Sequence, residues 1–160
     1  NVFETNNKTI NIRYFGTFYQ EMQSENFEIF IKAWSKLIKF HQDEIRQKKL
    51  ILKLEFYGTK SLEISRLKSD KILGPTIELK NRIPYKDALR KMKSSDLLLL
   101  PLYKKKGQVI EVLSSKFVDY IVHGNHLLLV GDHCEELEFI LPNYPKIISI
   151  ENCYFYLLGI

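Results

Sequence analysis

Four stretches of this sequence combine residue types that could do chemistry. Gly16-Thr17-Phe18-Tyr19 and Lys80-Asn81-Arg82-Ile83-Pro84 each follow an apolar run. The basic run Lys104-Lys105-Lys106 leads to Glu111, and Ser114-Ser115-Lys116 stands one helical turn before Asp119. A glycine at a strand end lets backbone approach a ligand closely. The N-terminus of the helix that follows can receive an anion. Each feature also has a plainer use. Gly16 alone would only end a strand, Glu111 would be an exposed loop acid, and Asp119 a surface acid paired with Lys116. The lysine run is either a solvated loop or a lip that attracts anions. What favours chemistry is convergence on one rim, which depends on the elements that carry these residues.

Those elements alternate. Ile10 to Phe15 reads as a strand ended by Gly16. Phe27, Phe30, Ile31, Trp34, Leu37, Ile38 and Ile45 recur at three- and four-residue steps, predicting an amphipathic helix with Ser24 as N-cap. Leu50 to Tyr57 is a second strand, ended by Gly58, and a short helix spans Leu62 to Leu67. Thr76 to Leu79 is a weak third strand. Pro84 opens a helix that continues from Tyr85 to Met92. Asp96 to Leu100 is a strand buried on both faces and stopped by Pro101. Ser114 or Ser115 caps a helix running to Val122 and closed by Gly124. His126 to Val130 is another buried strand, Cys134 to Ile140 a short helix, and Ile147 to Ile150 a last strand.

Strands alternating with helices mean βαβ units. The expected class is α/β: one three-layer α/β/α Rossmann-like domain over residues 1–160, with a mostly parallel sheet of about six strands. In such a sheet ligands bind beyond the carboxyl ends of the strands, which is where the four stretches fall.

Composition narrows the classes. Hydrophobic residues at 45% and charged residues at 27% are globular values and exclude disorder for most of the chain. No apolar run approaches the length of a membrane span. The net charge of +5 invites a nucleic-acid reading, but lysines sit among acids nearly everywhere, so none is expected. Cys134 and Cys153 make no disulfide scaffold; both read as structural, in a reducing, cytoplasmic compartment. The opening Asn1-Val2-Phe3-Glu4 is no signal peptide and has no initiator Met, so the chain is expected to be a piece of a longer protein. The apolar Tyr154 to Ile160 then either packs on this domain or meets another one.

Several signatures are absent. No G-x-G-x-x-G follows the first strand, and there is neither a P-loop nor a G-x-S-x-G elbow. A phospho-receiver would need acids where Phe15-Gly16 and Tyr57-Gly58 stand. His123 and His126 flank a turn with no third ligand at a persuasive spacing, so no metal is expected.

Three motifs in order resemble the C-terminal, nucleotide-sugar-binding domain of GT-B glycosyltransferases, particularly the family 4-like group. They are Tyr14-Phe15-Gly16-Thr17-Phe18-Tyr19; Asn81 to Leu89 with Ser95 to Pro101; and Ser115 to Asn125 followed by Leu127-Leu128-Leu129-Val130-Gly131. The resemblance covers about residues 10 to 140. It implies a role for each matched residue. Glu111 and Asp119 stand at the spacing of the Glu-x7-Glu element of retaining members, with Asp in the second place. Asp119 would accept hydrogen bonds from ribose hydroxyls, and Glu111, the catalytic candidate, would face the donor sugar or help hold it near the reacting centre. Lys116 and the amides at Ser114 and Ser115 would offset the diphosphate charge. Gly16 and Thr17 would lie against the diphosphate or the inter-domain cleft, and backbone at Arg82 and Ile83 would meet the base edge. No metal and no further cofactor is implied.

The implied function is the donor half of a retaining hexosyltransferase. It would bind a nucleoside-diphosphate sugar for transfer to a saccharide or lipid-linked acceptor in cell-surface polysaccharide or glycoconjugate synthesis. The acceptor site would belong to an N-terminal domain absent from this chain, so the isolated domain is expected to be inactive. Peripheral association with the anionic inner face of the membrane is a further expectation. There are departures from the family pattern. Gln20-Glu21-Met22-Gln23 lacks the loop base that contacts the diphosphate, and Gly124-Asn125-His126 lacks the usual Pro. Asp119 also reaches less far than Glu. These predict weak donor affinity or an altered donor, and sustain an alternative: a non-catalytic Rossmann-like module binding an anion or a protein partner.

Overall fold

The computed structural model describes residues 7–110, 114–132, 137 and 147–148. Strand β1 (Lys8–Phe15) is followed by helices α1 (Gln20–Phe40) and α2 (Gln42–Gln47), strand β2 (Leu50–Tyr57) and helix α3 (Leu62–Leu67). Strand β3 (Ile77–Lys80), helix α4 (Tyr85–Lys93) and strand β4 (Leu97–Pro101) come next. A two-residue-strand hairpin, β5 (Lys104–Lys105) and β6 (Gln108–Val109), leads to helix α5 (Ser115–His123), strand β7 (Leu127–Val130) and strand β8 (Ile147–Ile148).

Among the described residues six strands form one sheet in the order β3-β2-β1-β4-β7-β8, and every pairing between them is parallel. This is the expected α/β, Rossmann-like architecture. Because the strands are buried on both faces, successive residues feed opposite cores. Leu97 and Leu99 pack with Ile12, Tyr14, Phe30 and Trp34 beneath α1. Leu98 and Leu100 pack with Phe15, Met92, Phe117 and Tyr120 beneath α4 and α5. The apolar run Leu97–Leu100 therefore joins the two halves of the core.

The chain winds from β1 out to β3 on one side, then crosses back to place β4 on the other side of β1. That reversal makes the β1–β4 junction the topological switch point, where a crevice opens beyond the carboxyl ends. Pro101 does not stop β4 but belongs to it, opposite Val130. β1 pairs with β4 only at Ile12–Leu97 and Arg13–Leu98, so the proline lies beyond the β1 pairing.

Other boundaries differ from the sequence expectations for local reasons. The first long helix starts at Gln20, not at Ser24, and its N-cap is Tyr19. The Tyr19 N–H is satisfied by Gln23 Oε1 at 2.9 Å, and Ser24 Oγ donates to Glu63 Oε2. Ile45 lies on α2, because α1 ends at Phe40. Pro84 is the N-cap of α4, and Ser114 that of α5. Gly124 closes α5 in an extended conformation, so a left-handed turn is not what calls for it. A Cβ there would lie 2.5 Å from Leu98 Cδ1 and 2.6 Å from the Tyr120 carbonyl oxygen. Close packing of the α5 end onto β4 requires the glycine. The expected helix from Cys134 to Ile140, Cys153 and the Tyr154–Ile160 tail lie outside the described residues.

Beneath the crevice sits a buried ion pair that sequence periodicity did not reveal. Arg13 on β1 and Glu55 on β2 are both nearly inaccessible, with Arg13 Nε donating to Glu55 Oε2 at 2.6 Å. Arg13 Nη1 also donates to the Lys91 carbonyl and lies 3.2 Å from the hydroxyls of Ser94 and Ser95. The Tyr57 hydroxyl donates to Glu55 Oε2. Satisfied in this way, the pair ties β1, β2 and the end of α4 together.

Candidate functional site at the sheet switch point

A cleft of about 430 Å³ opens at the switch point. Its walls come from the end of β1 (Phe15, Gly16), the β3–α4 turn (Arg82, Ile83, Pro84) and the first turns of α4 and α5 (Tyr85, Ser115, Lys116, Asp119), with Ala88 and Met92 also lining it. Six of the residues singled out in the sequence thus meet: Gly16, Arg82, Ile83, Ser115, Lys116 and Asp119. Thr17 lies on a neighbouring cleft of about 480 Å³, which shares Arg82 with the first. Ser114 caps α5 behind the wall without a side-chain cap hydrogen bond. Glu111 lies outside the described residues.

Gly16 has φ +84°, a conformation that L side chains rarely adopt. Space is not its constraint, since an added Cβ would sit 3.6 Å from Lys116 Cε, an ordinary contact. Its N–H is already bonded to the Tyr57 carbonyl, and its carbonyl accepts from Thr59 Oγ1 at 2.7 Å. Gly16 therefore offers the cleft a bare Cα, not an amide donor.

Lys116 and Arg82 are both cationic residues lining the cleft. Lys116 Nζ donates to the Thr17 carbonyl at 3.0 Å and lies 5.4 and 5.5 Å from the ring centroids of Tyr14 and Tyr19. The Tyr14 hydroxyl donates to the same carbonyl at 2.6 Å. Among the described residues Lys116 meets no carboxylate, so the surface pair with Asp119 does not form. Burial lowers the Lys116 pKa from the ordinary lysine value. An anion arriving at this ammonium would meet a partly desolvated charge beside a helix N-terminus.

Asp119, three residues further along α5, lines the same cleft. The Tyr85 hydroxyl donates to its Oδ1 at 2.9 Å, and that bond holds the Tyr85 phenol above its usual range. The neighbouring Tyr120 is buried, and its oxygen accepts from the Phe15 N–H at 3.0 Å. Burial pushes the Tyr120 pKa up, so it stays a neutral phenol. The Tyr120 bond fixes α5 against the β1 end, and with it the placement of Lys116 and Asp119.

The basic run is a hairpin. Lys106 and Gly107 take positive φ at its tip, as a primed hairpin turn requires. Lys104 pairs with Asp132, Lys105 with Glu21, and Gly107 N–H with Glu25. Two of its three lysines are thus matched by acids, and none lines the cleft.

No family model matches the chain, and no curated protein matches it in sequence. Solved structures do match. The crystal structure of TarM superposes with a TM-score of 0.59 at 14% identity, covering 98% of this chain and 29% of that one. The apo structure of OtsA gives 0.51 at 13% identity, covering 97% and 35%. The class defined by sheet and crevice is a Rossmann-like α/β domain. More particularly, the fold is that of a GT-B domain, the architecture of both TarM and OtsA. The chain spans about a third of the length of either.

Proposed function

We propose that this chain is the donor-binding domain of a glycosyltransferase. The observation that carries the reading is the meeting of Gly16, Lys116 and Asp119 in one cleft at the switch point. The alternative, a non-catalytic module, expects Glu111 and Asp119 to point away from a cleft shared with Gly16; Asp119 lines that cleft, and Glu111 lies outside the described residues. A nucleoside-diphosphate sugar suits the cleft chemically: Lys116 and the α5 N-terminus for the diphosphate, Asp119 for vicinal ribose hydroxyls, and backbone at Arg82 and Ile83 for the base edge. In transfer, the bond between the anomeric carbon and the diphosphate oxygen breaks, the acceptor oxygen bonds to that carbon, and the acceptor hydroxyl's proton passes to the leaving diphosphate. The leaving diphosphate keeps the electron pair, and Lys116 with the helix dipole stabilises its growing charge.

The GT-B fold of TarM and OtsA supports the transferase reading. The finer reading is a retaining hexosyltransferase with Glu111 facing the donor sugar. A further domain would supply the acceptor site, and the acceptor would be a saccharide or lipid-linked chain of cell-surface polysaccharide synthesis. Cytoplasmic location, at the inner membrane face, belongs to the same reading, as does working without a metal or other cofactor. Isothermal titration of the 160-residue chain with UDP, GDP, ADP and dTDP is the test. Binding of at least one at millimolar concentration is expected, and none overturns the donor site. In the full-length enzyme, Glu111→Ala should lower transfer and leave folding intact; unchanged transfer removes Glu111 from the site.

A further inference from the structure

We infer that Tyr85 is part of the ribose-recognition site, and that the Tyr85–Asp119 pair makes the cleft select a ribonucleotide over a 2′-deoxyribonucleotide. The inference rests on the donor reading above. Tyr85 is the first residue of α4 and Asp119 the fifth of α5, two helices that pack side by side beneath the cleft. Their side chains meet at 2.9 Å, phenol donating to carboxylate. Both line the cleft.

Asp is one methylene shorter than Glu, so alone it would present two oxygens set back against the helix. A carboxylate has about four lone-pair sites, and the phenol occupies one of them at Oδ1. The phenol oxygen keeps acceptor capacity of its own. The pair therefore presents three oxygens where Asp119 alone would present two. A ribose offers two neighbouring donors, its 2′- and 3′-hydroxyls, and this acceptor front can take both at once. The phenol bond also fixes the carboxylate rotamer before a ligand arrives, which is the supporting contact that a recognition group needs. Tyr85 is 62% exposed, so its ring is not core filling, and its hydroxyl has no other hydrogen-bond partner among the described residues. A site built to bond a hydroxyl discriminates against the analogue that lacks it, because its polar groups are left unmatched.

The test is titration of the 160-residue chain with UDP, GDP and ADP, each against its 2′-deoxy counterpart, with inorganic pyrophosphate as the control. The wild type should prefer the ribonucleotide by about tenfold or more, the upper part of what one or two hydrogen bonds supply. Tyr85→Phe should weaken ribonucleotide binding about three- to tenfold and narrow the preference. Pyrophosphate affinity and the melting temperature should not change. Asp119→Asn should narrow the preference too, and the double variant should lose less than the two single losses combined. Unchanged affinity and preference in Tyr85→Phe overturn the inference while leaving the donor site standing. Tighter binding by Tyr85→Phe also overturns it, since the phenol would then be an obstacle. A wild type that prefers the deoxynucleotide does the same. A wild type that binds none of these diphosphates overturns the donor reading, and the inference with it.

Discussion

Lys116 Nζ lies 3.0 Å from the carbonyl oxygen of Thr17, a contact between residues 99 apart in sequence. It bridges the first turn of α5 and the turn that leaves β1, the two elements between which the cleft opens. The Tyr14 hydroxyl meets the same oxygen. With its carbonyl side occupied by two donors, the Thr17 turn is held in place while the ammonium stays at the cleft wall.

Replacing Lys116 by Met keeps the apolar stem and removes the charge. Nucleoside diphosphate binding should weaken about tenfold or more, the scale of a lost charge-assisted hydrogen bond. The variant should also lose part of the salt dependence. Calorimetry at two ionic strengths checks both; equal affinities place the diphosphate elsewhere.

The Lys116 pKa lies below the ordinary lysine value in the unliganded domain. The protonated form is the one that attracts an anion. Affinity should therefore fall as pH rises through that lowered pKa, earlier than an exposed lysine would allow. Lys116→Met should abolish this alkaline limb. A wild-type profile that stays flat up to the ordinary lysine range contradicts the assignment.

Two glycines separate conformational strain from overlap. Gly16→Ala has room but keeps φ near +84°, at a cost of about 1–2 kcal/mol. For a domain of this size that lowers the melting temperature by about 2–8 °C. Gly124→Ala drives a methyl onto Leu98 Cδ1 and the Tyr120 carbonyl, which a shift of backbone must relieve. It should cost more than Gly16→Ala. Thermal denaturation ranks them, and the reverse order would mean that the α5 end is less tightly packed on β4.

Glu55→Ala leaves Arg13 charged and buried without its carboxylate, a loss of about 3–5 kcal/mol. Arg13→Met with Glu55→Leu removes both charges and should recover most of it. Urea unfolding of both variants decides the matter. A double variant no better than Glu55→Ala would show that the hydrogen bonds of Arg13 to the α4 end matter more than the charge balance.

Glu78 on β3 accepts from Lys80 and Lys53, which hold its carboxyl at about 2, well below the usual carboxylate range. A depressed carboxylate pKa stabilises the fold above the unfolded value and loses that contribution as pH falls toward the folded one. Stability should thus decline between about pH 4.5 and 2. Glu78→Gln should remove a small part of that slope, since exposed pairs are worth at most about 1 kcal/mol. Acid titration at low and high salt checks it.

Much of the fold is readable locally. The run Leu97–Leu100 signals a strand buried on both faces, because it is short, wholly apolar and followed by Pro101. Phe27, Phe30, Trp34 and Leu37 mark the buried stripe of α1 by spacing alone. The start of α1 is not readable this way. Ser24 has the right chemistry for a cap, but Gln23 holds the Tyr19 N–H one turn earlier. The site was legible as a set of strand ends and one helix start, with motif resemblance naming Gly16, Lys116 and Asp119. Tyr85 stood in the second of the three motifs without a visible role, because its partner lies 34 residues further on.

The sequence by itself determined the alternation of strands and helices, the parallel sheet and the rim on which ligand chemistry would fall. These follow from side-chain periodicity and backbone sterics, which act over a few residues. Tertiary structure alone decided that Lys116 turns to Thr17 instead of Asp119, that Tyr85 joins Asp119, and that Arg13 finds Glu55. Side chains of one type can meet many partners at similar cost. Which partner each meets is set by the packing of helices on the sheet, and that is a property of the whole core.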